Sequence, residues 1–355
     1  MPLHVDDAIR PGKVWLDTSG VRIQAHGGSI ISTSDGRFVW YGENKERTVT
    51  GGPIWHWGVR AYVSDDLINW ENKGLIIPPV LDDEDSPLHP HQMMDRPHIL
   101  RHPTSGKYVA WLKVMGPGTI QSSTVLEADD VFGPYRIVAT GLRPLGMNAG
   151  DFDLVVDPTD GKGYYYFERV HSELICADLT ADFTGVTGFY STHFPQPHPP
   201  HVREAPAYFR RGAQHFLITS GTSGYLPNPS EVAVAQTYHG PWTVLGDPHP
   251  GDTSRTSFRS QISSVFKHPG KEDLYIALAD RWRPDLSPEQ SDQRDLFARR
   301  FSAQLSHDDF VAALGPALDT TANTQAADYV WLPIRFDGGI PVIEWLDAWT
   351  PADFD

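Results

Sequence analysis

A chain of 355 residues with a formal net charge of −16, from 45 acidic against 29 basic residues, is poorly suited to nucleic acid or an anionic membrane, but it tolerates neutral ligands. Hydrophobic residues make up 40% and aromatics 11%, enough for a large core, and 31 Gly with 30 Pro favour strands and tight turns over helices. The single cysteine, Cys176, excludes an internal disulfide, no Cys/His spacing fits zinc, and no apolar run approaches the roughly 18 residues of a membrane span. No metal and no cofactor is expected. The N-terminal Met1-Pro-Leu-His-Val-Asp-Asp7 lacks the basic start and apolar stretch of an export signal. A cytoplasmic location is expected, or a secreted or periplasmic one if a leader has been removed.

Taken in order, the chain repeats one unit five times. Unit one runs Gly28-Gly-Ser-Ile-Ile, a turn at Ser34-Asp-Gly-Arg, the aromatic strand Phe38-Val-Trp-Tyr-Gly, then Val59-Arg-Ala-Tyr-Val-Ser. Unit two runs from Arg96-Pro-His-Ile-Leu through a turn at Thr104-Ser-Gly-Lys to Tyr108-Val-Ala-Trp-Leu. Unit three runs from Asp151-Phe-Asp-Leu through Thr159-Asp-Gly to Tyr164-Tyr-Tyr-Phe. Unit four runs from Glu204-Ala-Pro-Ala-Tyr-Phe through Arg211-Gly-Ala to His215-Phe-Leu-Ile-Thr. Unit five runs from Ser260-Gln-Ile-Ser-Ser through His268-Pro-Gly-Lys to Leu274-Tyr-Ile-Ala-Leu. An inner strand, a glycine turn, an aromatic strand and one or two outer strands make a propeller blade. The expected fold is all-β, a five-bladed β-propeller over residues 1–355, with a helix-prone insert at about 283–324. Two short helices are expected, at Leu286 to Phe301 and Ala303 to Leu314.

In such a propeller the starts of the inner strands converge at one mouth of a central funnel. They carry His26-Gly-Gly, Asp95-Arg-Pro, Asp151, Glu204 and Gln261, with Glu43 ending the second strand of unit one nearby. Singly, each has an ordinary structural explanation; equivalent placement in five units favours a shared site. Paired carboxyls facing a neutral polyol are what glycoside hydrolysis needs. Glu204 fits the proton donor and Asp151 a neighbouring charge that keeps it protonated. Trp55-His-Trp57 and Trp70 are candidate sugar platforms, although Trp70 fits blade packing better, and His26 fits a hydrogen-bonded structural histidine. The Pro-rich loop Phe194 to His201 precedes Glu204 and suits a wall of the site.

Several segments resemble glycoside hydrolase family 43, and within it the exo-β-1,3-galactanases and their relatives. These are Ala25-His-Gly-Gly-Ser-Ile, Trp40-Tyr-Gly-Glu-Asn-Lys, Asp95-Arg-Pro-His-Ile, Arg203-Glu-Ala-Pro-Ala, Leu217-Ile-Thr-Ser-Gly, Phe258-Arg-Ser-Gln and Asp280-Arg-Trp. The resemblance implies a five-bladed propeller, inversion by single displacement, and release of terminal sugars from an oligosaccharide or polysaccharide. It implies Glu204 as acid, Asp151 as its modulator, and Gln261 or Asp95 as the group that handles water. It also implies sugar contacts at Glu43, His26, Arg96, Ser223, Tyr225, Asn228, Arg259 and Trp282.

The chain departs from the pattern in three places. Ser220-Gly-Thr-Ser-Gly-Tyr-Leu-Pro-Asn228 has Tyr225 and Leu226 where galactanases carry Trp and Asp. Ala149-Gly-Asp-Phe152 lacks the basic residue usual before the modulator, and Lys113-Val-Met-Gly replaces a polar stretch containing Tyr. An α-L-arabinofuranosidase or another furanosidase on the same scaffold, and a non-catalytic sugar-binding propeller, are the alternatives.

Overall fold

The computed structural model describes residues 4–118, 120–287, 293–315 and 323–355. Five antiparallel sheets follow one another along the chain. The first is β1 (His26–Ser32), β2 (Phe38–Glu43), β3 (Val59–Ser64) and β4 (Glu71–Ile77). The second is β5 (Met93–Arg101), β6 (Tyr108–Met115), β7 (Gln121–Ala128) and β8 (Arg136–Leu142); the third is β9 (Ala149–Val156), β10 (Gly163–Arg169), β11 (Glu173–Leu179) and β12 (Val186–His193). The fourth is β13 (Arg203–Arg211), β14 (Gln214–Gly221), β15 (Glu231–Ala235) and β16 (Thr243–Gly246). The fifth is β17 (Gln261–Lys267), β18 (Tyr275–Arg281), β20 (Leu332–Asp337) and β21 (Ile340–Ile343), with the short β19 (Asp328–Tyr329) also paired to β18.

The first strands β1, β5, β9, β13 and β17 contact one another in a ring, so each sheet is a blade and the five make a propeller. The hairpin joining the first two strands of four blades turns on a glycine at positive φ: Gly36 (87°), Gly106 (74°), Gly161 (76°) and Gly212 (60°). The apolar residues of facing blades fill five seams, one cluster to each. Trp70 belongs to the seam between blades one and five, its ring 5.3 Å from that of Trp40, and so serves packing. That seam is closed from outside the blades. The N-terminal coil bridges Ile9 to Trp349, donates from Gly12 N to Tyr329 O at 2.7 Å, and pairs Arg22 with Asp328 at 2.8 Å.

Of the helix expected over Leu286 to Phe301, residues 288–292 lie outside the described residues. Leu286 sits in a turn, its N–H donating to Arg283 C=O, and α1 spans Arg294–Phe301. Helix α2 spans His307–Leu314, capped by Ser306, whose Oγ accepts from Asp309 N, and with Asp308 and Asp309 in its first turn.

Candidate active site

Each inner strand is dislocated near its start. The ladder to the second strand skips between His26 and Ser29, Asp95 and His98, Ala149 and Phe152, Glu204 and Ala207, and Ile262 and Ser264. A β-bulge of this kind bends the strand and re-aims its side chains. It also explains Pro97 and Pro206, because a proline is tolerated where the ladder asks for no N–H. Arg96 (φ 55°) and Ala205 (φ 47°) occupy the left-handed region at their bulges. For non-glycine residues this costs about 1–3 kcal/mol each, a strain typical of residues held in place for function.

The bulges direct polar groups into one cavity of about 360 Å³, lined by Glu43, Asp95, Arg96, Asp151, Glu204 and Gln261 among others. Eight of the residues anticipated from sequence therefore line one space: these six together with Tyr225 and Trp282. Trp55 also lines it, and its ring stacks on Tyr225 at 6.2 Å, which in turn lies 5.2 Å from Trp282. Three aromatic rings thus form one side of the cavity.

The remaining four sit behind it. His26 is fully buried, its Nδ1 2.9 Å from Asp280 Oδ1 and its ring stacked on Tyr329 at 4.9 Å. Ser223 Oγ donates to Leu226 O, and Asn228 Nδ2 donates to Gly221 O and to Ser223 Oγ, each at 2.7 Å. These two residues knot the loop that presents Tyr225; they do not line the cavity. Arg259 donates to Leu286 O at 2.6 Å, anchoring the start of the insert. Lying within a motif segment did not separate residues that face the cavity from those that brace it.

Among the lining residues that the reading of the sequence did not assign to the site, Lys113 and Glu168 bear most directly on its charges. Lys113 pairs with Asp95 across β5 and β6, and Glu168 lies on β10 opposite the Gly150–Asp151 bulge. The signal was available: counting back from each hairpin turn sets these second-strand ends beside the inner-strand starts. Lys113 Nζ lies 2.7 Å from Asp151 Oδ1 and 3.5 Å from Asp95 Oδ2. Arg96 lies 2.9 Å from Asp151 Oδ2 and also donates to Gln261 Oε1. Gln261 Nε2 donates to Glu204 Oε1 at 3.1 Å and to Ser220 Oγ at 2.9 Å. Gln261 therefore sits beside Glu204, closer than the about 6.5–9.5 Å that separates acid from base in inverting glycosidases.

The electrostatics divide the carboxyls. Burial pushes Glu204 well above the usual range, and the charges of Asp151 and Glu168 push it further, against weaker opposition from Lys113 and Arg96. Burial also raises Asp151, but Arg96 and Lys113 outweigh it and hold the carboxylate at about 2. Asp95 is likewise held below its ordinary value, because Lys113, Lys45 and the Trp55 indole, 2.7 Å away, overcome its burial. Burial raises Glu43 to about 8 despite Lys45 Nζ at 2.7 Å from Oε2. Oε2 is thus ion-paired with that ammonium, while Oε1 accepts from Arg96 N at 2.8 Å. Among the described residues no group of three or more His, Cys, Asp or Glu is set to hold a metal.

Residues 28–301 match the pattern of glycosyl hydrolases family 43. No curated protein matches the chain in sequence. A solved β-1,3-galactosidase of family 43 is 28% identical with a TM-score of 0.79, over 99% of this chain and 65% of that one. A second, solved with galactodeoxynojirimycin, is 26% identical with a TM-score of 0.76, over 96% of this chain and 99% of that one. An exo-β-1,3-galactanase from Phanerochaete chrysosporium, solved with galactose, shares the fold at 23% identity and a TM-score of 0.75, over 97% of this chain and 68% of that one. The chain thus spans about two thirds of the first relative's length and nearly all of the second's.

Proposed function

Since the chain belongs to glycosyl hydrolases family 43, we propose that it is an exo-acting, inverting hydrolase of terminal β-galactosides, β-1,3-linked galactan being the first polymer to test. One observation carries this reading: a single cavity holds a carboxyl driven to stay protonated, Glu204, beside one driven to stay ionised, Asp151. The galactodeoxynojirimycin bound to the second of the two galactosidases supports galactose as the sugar.

In this reading Glu204 gives its proton to the glycosidic oxygen as the bond from that oxygen to C1 breaks. Water attacks C1 from the opposite side, its proton passes to Asp95, and the sugar leaves with its anomeric configuration inverted. Asp95 takes the base role because it is held as a carboxylate at the cavity wall. Gln261 is a positioning residue: Arg96 occupies its carbonyl, and its amide hydrogens go to Glu204 and Ser220. The rings of Trp55, Tyr225 and Trp282 offer a face to the apolar side of a pyranose. Glu43, whose Oε2 is paired with Lys45, offers its carboxyl to a sugar hydroxyl at the cavity wall. Asp95 and Asp151 are offset by Lys113, Lys45 and Arg96, which suits an uncharged substrate.

The test is a panel of aryl β-galactosides, α-L-arabinofuranosides and β-1,3-galactobiose, with the released anomer followed by NMR. Release of α-galactose is expected. Turnover confined to the arabinofuranosides would move the assignment to a furanosidase, and binding with no turnover of anything would leave a sugar-binding propeller.

A further inference from the structure

The cavity has a second end that the sugar chemistry does not use. Starting at the acid, Glu168 adds its negative charge to Glu204, and its Oε1 accepts from His171 N at 2.8 Å. The His171 ring lies 6.0 Å edge-on to Phe301, and Phe301 stacks near Phe297 at 6.4 Å. All of these residues line the cavity, as do Met115, Pro199 and Leu226. A path therefore leads from the proton donor to an apolar wall. The leaving group departs on the side of the proton donor, so this wall is what an aglycone meets.

The wall is built, not incidental. Leu226, from the loop that presents Tyr225, packs with Leu286, Phe297, Phe310 and Leu314 in a cluster of its own, so the insert is fixed to blade four beside the cavity. Phe297 is held in that cluster at 7% exposure, whereas Phe301 at 43% exposure presents its ring. Most polar groups on the path are engaged: His171 with Glu168, Thr222 Oγ1 with Val202 O at 3.0 Å, and Arg283 with Asp285 at 2.8 Å. Gln121 Oε1, buried with no partner, leaves one acceptor. A second pyranose brings several hydroxyls that need partners, and leaving them unmatched is costly. A flat apolar group loses nothing there and gains by leaving water.

We infer that the leaving-group end of this cavity selects a β-galactoside whose aglycone is a small apolar or aromatic group, in preference to the next sugar of a polysaccharide. The inference rests on the proposed galactosidase reading and specifies its substrate class. Phe297 and Phe301 are the specificity-determining residues.

The experiment compares ethyl β-galactoside, 2-phenylethyl β-galactoside and β-1,3-galactobiose on the whole chain. Ethyl and 2-phenylethyl alcohols are both primary alkyl leaving groups, so their difference reports on binding of the ring and not on bond reactivity. The 2-phenylethyl compound is expected to exceed the ethyl compound in kcat/KM by about 10- to 100-fold, the range that burying one ring supplies, and to exceed galactobiose. Phe297→Ala/Phe301→Ala is expected to bring the 2-phenylethyl to ethyl ratio close to one. A ratio measured within one preparation is unaffected by loss of folded protein, and Phe301→Leu gives a milder version if the double variant does not fold. Equal rates on the ethyl and 2-phenylethyl compounds, a preference for galactobiose, or a ratio unchanged in both variants would overturn the inference while leaving the galactosidase reading intact. No turnover of any galactoside overturns both.

Discussion

The two ends of the cavity are made by different means. The polar end is set on the first strands of the blades, where bulges in blades two, three and four aim charged groups at the axis and second strands supply partners such as Lys113 and Glu168. The apolar end is set by an insertion between β18 and β19, held by a few leucines and phenylalanines against one loop. Every group of the polar end is tied to two or three others across several blades, so removing one is felt by all. The apolar end is a side-chain surface on short helices, and it can change without disturbing the charges. Chemistry is thus assigned to the rigid part of the fold and choice of substrate to the replaceable part.

Four changes within the polar end and its support sharpen that contrast. The largest effect is expected for Glu204→Gln, a loss of about 10²–10⁴ in kcat on alkyl galactosides. The loss should be much smaller on dinitrophenyl galactosides, whose leaving group needs no proton, while product binding by calorimetry persists. Next, Lys113→Met strips a buried cation from Asp151 and Asp95. Denaturant unfolding should report a loss of about 3–5 kcal/mol, as when one partner of a buried pair is removed. The intact pairing also sets the acid limit. Asp151 is depressed to about 2, so its contribution is complete above the unfolded value of about 3.9 and is lost as pH falls through about 2. Third, Asp151→Asn removes a negative charge beside Glu204 and so lowers the pKa of that acid. The alkaline fall of the kcat/KM profile, where Glu204 loses its proton, should move to lower pH. A limb that stays in place or rises would mean that Asp151 does not govern the acid. Smallest is Asn228→Ala, which frees Gly221 O and Ser223 Oγ behind the Tyr225 loop. A stability loss of about 1–3 kcal/mol is expected, with KM raised and kcat little changed.

The propeller was legible because its signals are local. Alternation of apolar residues gives strands, and a glycine at each hairpin turn marks one blade from the next, so the inner-strand starts could be gathered at one mouth before any coordinates. Glu204, Asp151, Asp95 and Gln261 were found this way. The mutual distances of these groups were not legible, and Gln261 proved to touch the acid because a bulge rotates side chains by an amount no spacing encodes. His26, Ser223, Asn228 and Arg259 sit within motif segments yet face away, since a string of residues does not state which layer each occupies. Lys113 reads as a break in the apolar strand Val109-Ala-Trp-Leu, and only the cross-strand register gives it a partner. Phe297 and Phe301 were visible as part of a helix-prone insert, but the meeting of Phe297 with Leu226 is a contact across some seventy residues, beyond the reach of periodicity.

A consequence follows from the dislocation that recurs near the start of every inner strand. In each blade the residues inside the skip have no partner on the second strand, while Glu204, Asp95 and Gln261 beside it stay paired with Ser220, Lys113 and Asp280. The irregular step thus sits beside a firmly held one, and the reactive carboxyls take their aim from the regular sheet behind them.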